Sequence, residues 1–187
     1  MSSVWYLIKS DLCRHSGLRG FKGFLRGWYQ PGFRYTFLWR LVTHTNTPSP
    51  LRFIFRLLLR RYRIKYGFEI DKGAQLGEGF YLSDHVGPVI IGPIKIGKNC
   101  NISHCVTIGR AHTKGVRGRP TIGDRVWIGT GSVLFGKIQI DSDVMIAPNS
   151  VVNFDVPDNS IVIGNPGKII SKENPTKHYI INILEEG

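Results

Sequence analysis

Between residues 67 and 170 the apolar positions follow neither of the two common periods. Aliphatic residues stand six apart in three blocks: Ile70, Leu76 and Leu82; Ile90, Ile96, Ile102 and Ile108; then Ile122, Ile128, Leu134, Ile140, Ile146 and Val152. A helix repeats near 3.6 residues and a strand near 2, so neither accounts for this spacing. Glycine follows the aliphatic residue at Gly77, Gly97, Gly109, Gly123 and Gly129, as tight corners require. Four positions after the aliphatic residue the side chain is small or β-branched at Val106, Val126, Ser132, Val144 and Ser150, with Ala74 close to the same slot. The pattern predicts a parallel β-helix, in which each hexad is a strand plus a corner and three hexads close one triangular coil. Stacked coils bury a continuous apolar column that no single repeat stabilises alone. Two interruptions break the count, eight residues from Leu82 to Ile90 and fourteen from Ile108 to Ile122.

Upstream the pattern changes. Residues 1–50 mix aromatic and basic side chains, and "THTNTPSP" at 43–50 reads as a loop. The segment 51–66, "LRFIFRLLLRRYRIKY", predicts a helix with Arg52, Arg56, Arg60 and Arg63 within an arc of about 80°. It rises about 24 Å, short of a hydrocarbon core of about 30 Å. Charge draws the same boundary. Residues 1–66 hold 13 Lys/Arg and one acid, Asp11, whereas residues 67–187 hold 12 of each sign, so the whole net charge of +12 lies in the first third. The chain therefore divides into a basic helical region (1–66), a β-helix domain (67–170) with an extended loop at 109–121, and a C-terminal tail (171–187). A basic amphipathic helix of this kind packs on the column or lies on an anionic membrane surface. No nucleic-acid-binding module accompanies the basic residues, and no P-loop or dinucleotide fingerprint is present.

Three cysteines, Cys13, Cys100 and Cys105, are too few and of the wrong parity for a disulfide framework. The N-terminal apolar patch is only four residues long before Lys9 and Asp11, unlike a signal peptide. Both features predict a cytoplasmic protein, peripheral at the inner face of the plasma membrane if the basic third docks there. "C-x3-H-C" at Cys100, His104 and Cys105 lacks a second ligand pair, so no metal is expected. Cys100 falls in the small inward slot and reads as core.

The stretch "IG-x-x-V-W-IG", with "G-S-V" and the ending "VPDNSIVIGNPGK", resembles the hexapeptide-repeat acyltransferases, and Glu69–Lys168 resembles their serine acetyltransferase branch. The resemblance implies a left-handed parallel β-helix, a homotrimer, and acetyl-CoA as acetyl donor in the groove between neighbouring coils. It implies His85 as general base, through "L-D-H" matched by Leu82, Asp84 and His85 with Ser83 inserted, and Asp84 beside it. The second acid, in "D-I-H-P", is matched by Glu69 in "E-I-D-K", with Asp71 as the alternative partner of His85. Histidine suits proton abstraction from a hydroxyl near neutral pH, and a carboxylate can fix its tautomer. Gly129, Thr130, Ala147, Pro148 and Lys168 match cofactor-binding positions. His104, Arg117, Arg119 and Asp71 are the candidate acceptor-binding residues. Where the family places "R-H-P" to hold its amino-acid substrate, this chain has Gly118-Arg119-Pro120.

That missing histidine and the short basic N-terminal region resemble the acetyltransferases of capsule and exopolysaccharide pathways. The expected activity is therefore O-acetylation of a glycan, with serine O-acetylation as the alternative and a non-catalytic assembly module as the third reading.

Overall fold

The computed structural model describes residues 3–18, 20–44, 50–111 and 118–184. Four helices come first: α1 (Val4–Ser16), α2 (Gly20–Trp28), α3 (Pro31–His44) and α4 (Pro50–Tyr66). Proline opens α3 and α4 at the first helical position, where its missing N–H costs nothing. Gly17 ends α1 in the left-handed conformation, with its N–H returning to the Cys13 carbonyl. Gly67, also left-handed, turns α4 into the first strand.

Among the described residues fifteen short strands follow. In chain order they are β1 (Phe68–Ile70), β2 (Gln75–Leu76), β3 (Tyr81–Leu82), β4 (Val89–Ile91), β5 (Lys95–Ile96), β6 (Asn101–Ile102), β7 (Thr107–Gly109) and β8 (Thr121–Ile122). The rest are β9 (Trp127–Ile128), β10 (Val133–Phe135), β11 (Gln139–Ile140), β12 (Val144–Ile146), β13 (Val151–Val152), β14 (Ser160–Ile163) and β15 (Lys168–Ser171). They form the three faces of a prism. Sheet A runs β1-β4-β7-β10-β13, sheet B runs β2-β5-β8-β11, and sheet C runs β3-β6-β9-β12-β14-β15. Every pairing is parallel except the last, between β14 and β15. The predicted parallel β-helix is the observed fold.

The register stacks the inward residues in three columns. Ile70, Ile91, Ile108, Leu134 and Val152 align in sheet A. Leu76, Ile96, Ile122 and Ile140 align in sheet B, and Leu82, Ile102, Ile128, Ile146 and Val162 in sheet C. One position breaks the six-residue phase. Ile90 points outward and is 47% exposed, while Val89 and Ile91 are buried. The insertion after β3 thus shifts the strand by one residue, and a one-residue slip exchanges the two faces. The count is regained because only five residues separate Ile91 from Ile96. Cys100 is core, as expected, and burial pushes its thiol up to about 12.

The helices close the open end of the column. A first coil has no earlier coil to pair with, and an uncovered strand edge is a liability. Here the Ile70 N–H donates to the Tyr35 hydroxyl and Trp39 Nε1 donates to the Ile70 carbonyl, both at 3.3 Å. Arg40 donates to the Leu76 and Gly77 carbonyls at 2.7 and 2.6 Å. The same guanidinium is fully buried against Asp11, with contacts of 3.0 and 3.2 Å, so its charge is paired. Tyr35, Trp39 and Tyr66 share one continuous hydrophobic core with the coils.

Residues 51–66 are helical, as predicted, and Arg56, Arg60 and Arg63 of the arginine arc are exposed while Arg52 is partly buried. Arg52 donates to the Val42 carbonyl, and Arg56, Arg60 and Arg63 line an open cleft between α4 and sheet A. Phe53 and Ile64 of the same helix are 63% and 73% exposed. No helix among the described residues is long and apolar enough to cross a membrane.

Candidate active site

Sequence places the candidate residues in unrelated stretches, and the prism gathers most of them on one edge. Sheet C leads into sheet A through four stacked connections, 83–88, 103–106, 129–132 and 147–150, and the turn 164–167 between β14 and β15 of sheet C hydrogen-bonds to Val151 just beyond the last of them. The first carries Asp84 and His85, the second His104, the third Gly129 and Thr130, and the fourth Ala147 and Pro148. Lys168 directly follows the turn 164–167 and opens β15. At about 4.8 Å per strand step, the five steps of sheet C from β3 to β15 carry the edge about 24 Å from His85 to Lys168. The corners are tied to one another. Gly131 N–H reaches the His104 carbonyl at 3.3 Å and Asn149 N–H reaches the Thr130 carbonyl at 2.8 Å. Gly131 is left-handed, and a Cβ there would collide with Asn149 Oδ1.

The first two corners form the chemical end of the edge. His85 and His104 face each other with ring centroids 5.5 Å apart. Both line a cavity of about 250 Å³ together with Ser83, Ser103, Trp127 and Thr130. The imidazole of His85 is exposed, and its backbone N–H donates to Ser83 Oγ at 3.1 Å, which fixes the turn of the loop. His104 is therefore a groove residue and not a solvent-facing one. Trp127 and Ser103 are additions that sequence reading missed. Trp127 occupies the outward position beside the inward Ile128, so a residue one before each sheet C aliphatic was the available signal. Its indole packs on Tyr179 of the C-terminal segment at 5.0 Å.

Asp84 does not serve His85 as expected. Its Oδ2 accepts the Tyr81 hydroxyl at 2.9 Å, and its Oδ1 lies 3.4 Å from Nδ1 of the buried His15. The two neighbours along the chain thus project apart, with the carboxylate toward α1 and the imidazole toward the groove.

Glu69 and Asp71 are not brought to His85 within one chain either. Glu69 points outward from β1, 3.8 Å from Arg63, and both acids line the cleft of about 760 Å³ beside α4. Asp71 Oδ1 accepts the Gly73 N–H at 2.7 Å in the turn after β1. That turn lies on the edge between sheets A and B, as does the loop between β7 and β8. Arg119 is exposed at the end of that loop and donates to the Pro93 carbonyl at 3.4 Å. Arg117 lies outside the described residues. Among the described residues no cluster of three or more His, Cys, Asp or Glu is placed to hold a metal ion.

The edge suits a long thioester such as acetyl-CoA. Gly129, Thr130 and Ala147 keep the corners small, and the Lys168 ammonium supplies a cation toward the end distant from His85. No family model matches the chain. Curated relatives do. The serine acetyltransferase of Helicobacter pylori is 36% identical over 144 residues, which cover 76% of this chain and 83% of that protein. The serine acetyltransferase of Mycobacterium tuberculosis is also 36% identical, over 126 residues, but the match spans only 55% of its length. Among solved structures, serine acetyltransferase from Brucella abortus in complex with coenzyme A superposes with a TM-score of 0.71 at 28% identity, covering 91% of this chain and 67% of that one. Serine acetyltransferase from Neisseria gonorrhoeae in complex with serine gives 0.71 at 28%, covering 90% and 69%.

These relatives overturn the expected capsule or exopolysaccharide acetylation, since the proteins matched across most of the chain are serine acetyltransferases. The absent histidine before Pro120 and the short N-terminal region were the grounds for that expectation, and neither outweighs a match over most of a whole relative. The repeats, the edge that gathers His85, His104 and Thr130, and these likenesses agree: the chain belongs to the serine acetyltransferase family of acetyl-CoA-dependent acetyltransferases.

Proposed function

We propose that this protein transfers the acetyl group of acetyl-CoA to the hydroxyl of L-serine, with His85 as general base. The observation that carries the reading is the exposed His85 imidazole facing His104 at the end of the corner edge. His85 takes the serine hydroxyl proton as that oxygen attacks the thioester carbonyl, and returns a proton to the departing thiol. The neutral imidazole does the first and the imidazolium so formed does the second. His104 lies within reach of the same atoms and orients the acceptor. Thr130, Gly129, Ala147, Pro148 and Lys168 hold the acetyl donor along the edge.

Serine also presents an ammonium and a carboxylate. The residues suited to them, Glu69, Asp71 and Arg119, sit on sheet A and on the edge between sheets A and B, away from His85 in the same chain. A complete site is therefore assembled from two chains of a trimer, with Glu69, Asp71 and Arg119 of one chain facing the groove of the next. Beyond Glu69 the outward row of sheet A supports such packing, since Ile90, Thr107, Val133 and Val151 align there without a charge.

Thiol release from acetyl-CoA with free L-serine tests the proposal. The expected result is serine-dependent release that falls at least about a hundredfold in His85→Ala, the usual worth of a general base. Absence of serine-dependent release from the folded protein overturns the assignment of the acceptor.

A further inference from the structure

One face of α1 reaches the corner that carries the base. Asp11, Arg14 and His15 are spaced so that they share a helical stripe. Asp11 Oδ1 accepts the Phe80 N–H at 2.8 Å and Arg14 Nε donates to the Gly79 carbonyl at 3.2 Å. Arg14 also donates to Asn101 Oδ1. His15 has no exposed side-chain surface. Its ring stacks on Tyr81 with centroids 4.4 Å apart and meets Phe33 at 5.8 Å.

Nothing in ordinary folding energetics calls for a histidine at that position. Both of its ring nitrogens are buried without an aligned hydrogen bond, and so is Asp84 Oδ1, 3.4 Å from Nδ1. A buried polar atom left so costs about 1–3 kcal/mol, which an apolar side chain in the same space would avoid. The arrangement has one clear effect: it occupies the Asp84 carboxylate from the α1 side. The Tyr81 hydroxyl occupies the other oxygen, and burial pushes that phenol upward, so it stays a donor.

We propose that His15 and Tyr81 are positioning residues for catalysis, holding the Asp84 carboxylate away from the neighbouring His85 imidazole. The proposal rests on His85 being the base. An Asp84 free to turn would place an anion beside that imidazole, favour its protonated form and raise its pKa. Less neutral base would then be present near pH 7. The charged and titratable groups around the pair are few. From α1 come His15, Arg14 and Asp11, the last engaged with Arg40 of α3. From β3 comes Tyr81, and from the next corner His104 and Cys105. The parts of α3 that touch this corner, Gly32 and Phe33, are uncharged.

The test compares full-length His15→Phe, Tyr81→Phe and the double variant with the parent, measuring kcat and KM across pH 5.5–9 together with Tm. The double variant is expected to move the acid limb of kcat/KM upward by about one pH unit, the effect of a nearby opposite charge. The KM for acetyl-CoA should stay within about twofold of the parent. Adding Asp84→Asn should return the limb to its original position, because the asparagine carries no charge. Partial unfolding would lower activity at every pH and move neither limb. An unmoved limb in a folded double variant overturns the proposal, and so does failure of Asp84→Asn to restore it. Should His15→Phe not fold, Tyr81→Phe decides alone, since it removes a single hydroxyl. His85→Ala in the same assay separates the two levels: near-normal turnover there defeats the base assignment itself, whereas a dead His85→Ala beside an unmoved limb defeats only the positioning role.

Discussion

Gly32→Ala probes how closely the helices hold the catalytic corner. Gly32 is the second residue of α3, and a Cβ added there lands on the Leu82 carbonyl oxygen, with the Leu82 carbonyl carbon and the Ser83 oxygen each 2.8 Å away. Carbon-to-oxygen contacts relax only near 3.3 Å, and the Leu82 oxygen is nearer than either of these, so α3 must retreat by about 1 Å. It cannot do so freely, because Tyr35, Trp39 and Arg40 on the same helix bond Ile70, Leu76 and Gly77. Overpacking of this kind costs about 1–3 kcal/mol, offset by at most about 1 kcal/mol of better helix propensity. The expected net loss is about 2 kcal/mol, which for a chain of this size lowers Tm by about 4–8 °C. Activity should fall too, since Ser83 Oγ accepts the His85 N–H. A displacement of about 1 Å passed on to this corner costs roughly a hundredfold in kcat. Calorimetry and thiol release on the purified variant provide the readouts. A Tm equal to or above that of the parent would refute the reasoning, because propensity would then outweigh the collision.

Asp11→Ala should destabilise by about 3–5 kcal/mol in urea titration, because it leaves the Arg40 guanidinium buried without its carboxylate; a loss below about 1 kcal/mol would show that the pair does not hold the cap. Iodoacetamide at pH 8 should add once to the native protein, at exposed Cys105, while buried Cys13 and Cys100 react only after unfolding. The adduct should lower turnover, since Cys105 belongs to the same corner as His104; two or three adducts on native protein would contradict the burial.

The column was legible because a six-residue aliphatic phase has few competing explanations, and twelve of the thirteen positions that follow it are buried. Ile90 was misread for a physical reason. Inside an insertion the count restarts at an arbitrary residue, and in "VII" three aliphatics in a row leave the inward one undetermined. His85 was legible from its place beside a repeat break. The direction of Asp84 was not, because it depends on His15, about seventy residues earlier and on another element. Asp11 did leave a trace: a lone acid among 13 basic residues invites a buried partner, and Arg40 is that partner. The split of candidate residues between two prism edges follows from which sheets each connection joins, and the hexad spacing alone does not show it.

The closure of the first coil by α1 and α3 also bears on how the chain folds. In a solenoid each coil contacts only its neighbours, so folding nucleates at one place and propagates from there. This polypeptide leaves the ribosome with its helices ahead of its strands. Tyr35, Trp39, Arg40 and Asp11 are therefore synthesised before residues 68–82, and they carry the donors and acceptors that meet Ile70, Leu76, Gly77 and Phe80. The helical region thus presents the first coil with a fixed register, and the parallel pairing carries that register from coil to coil.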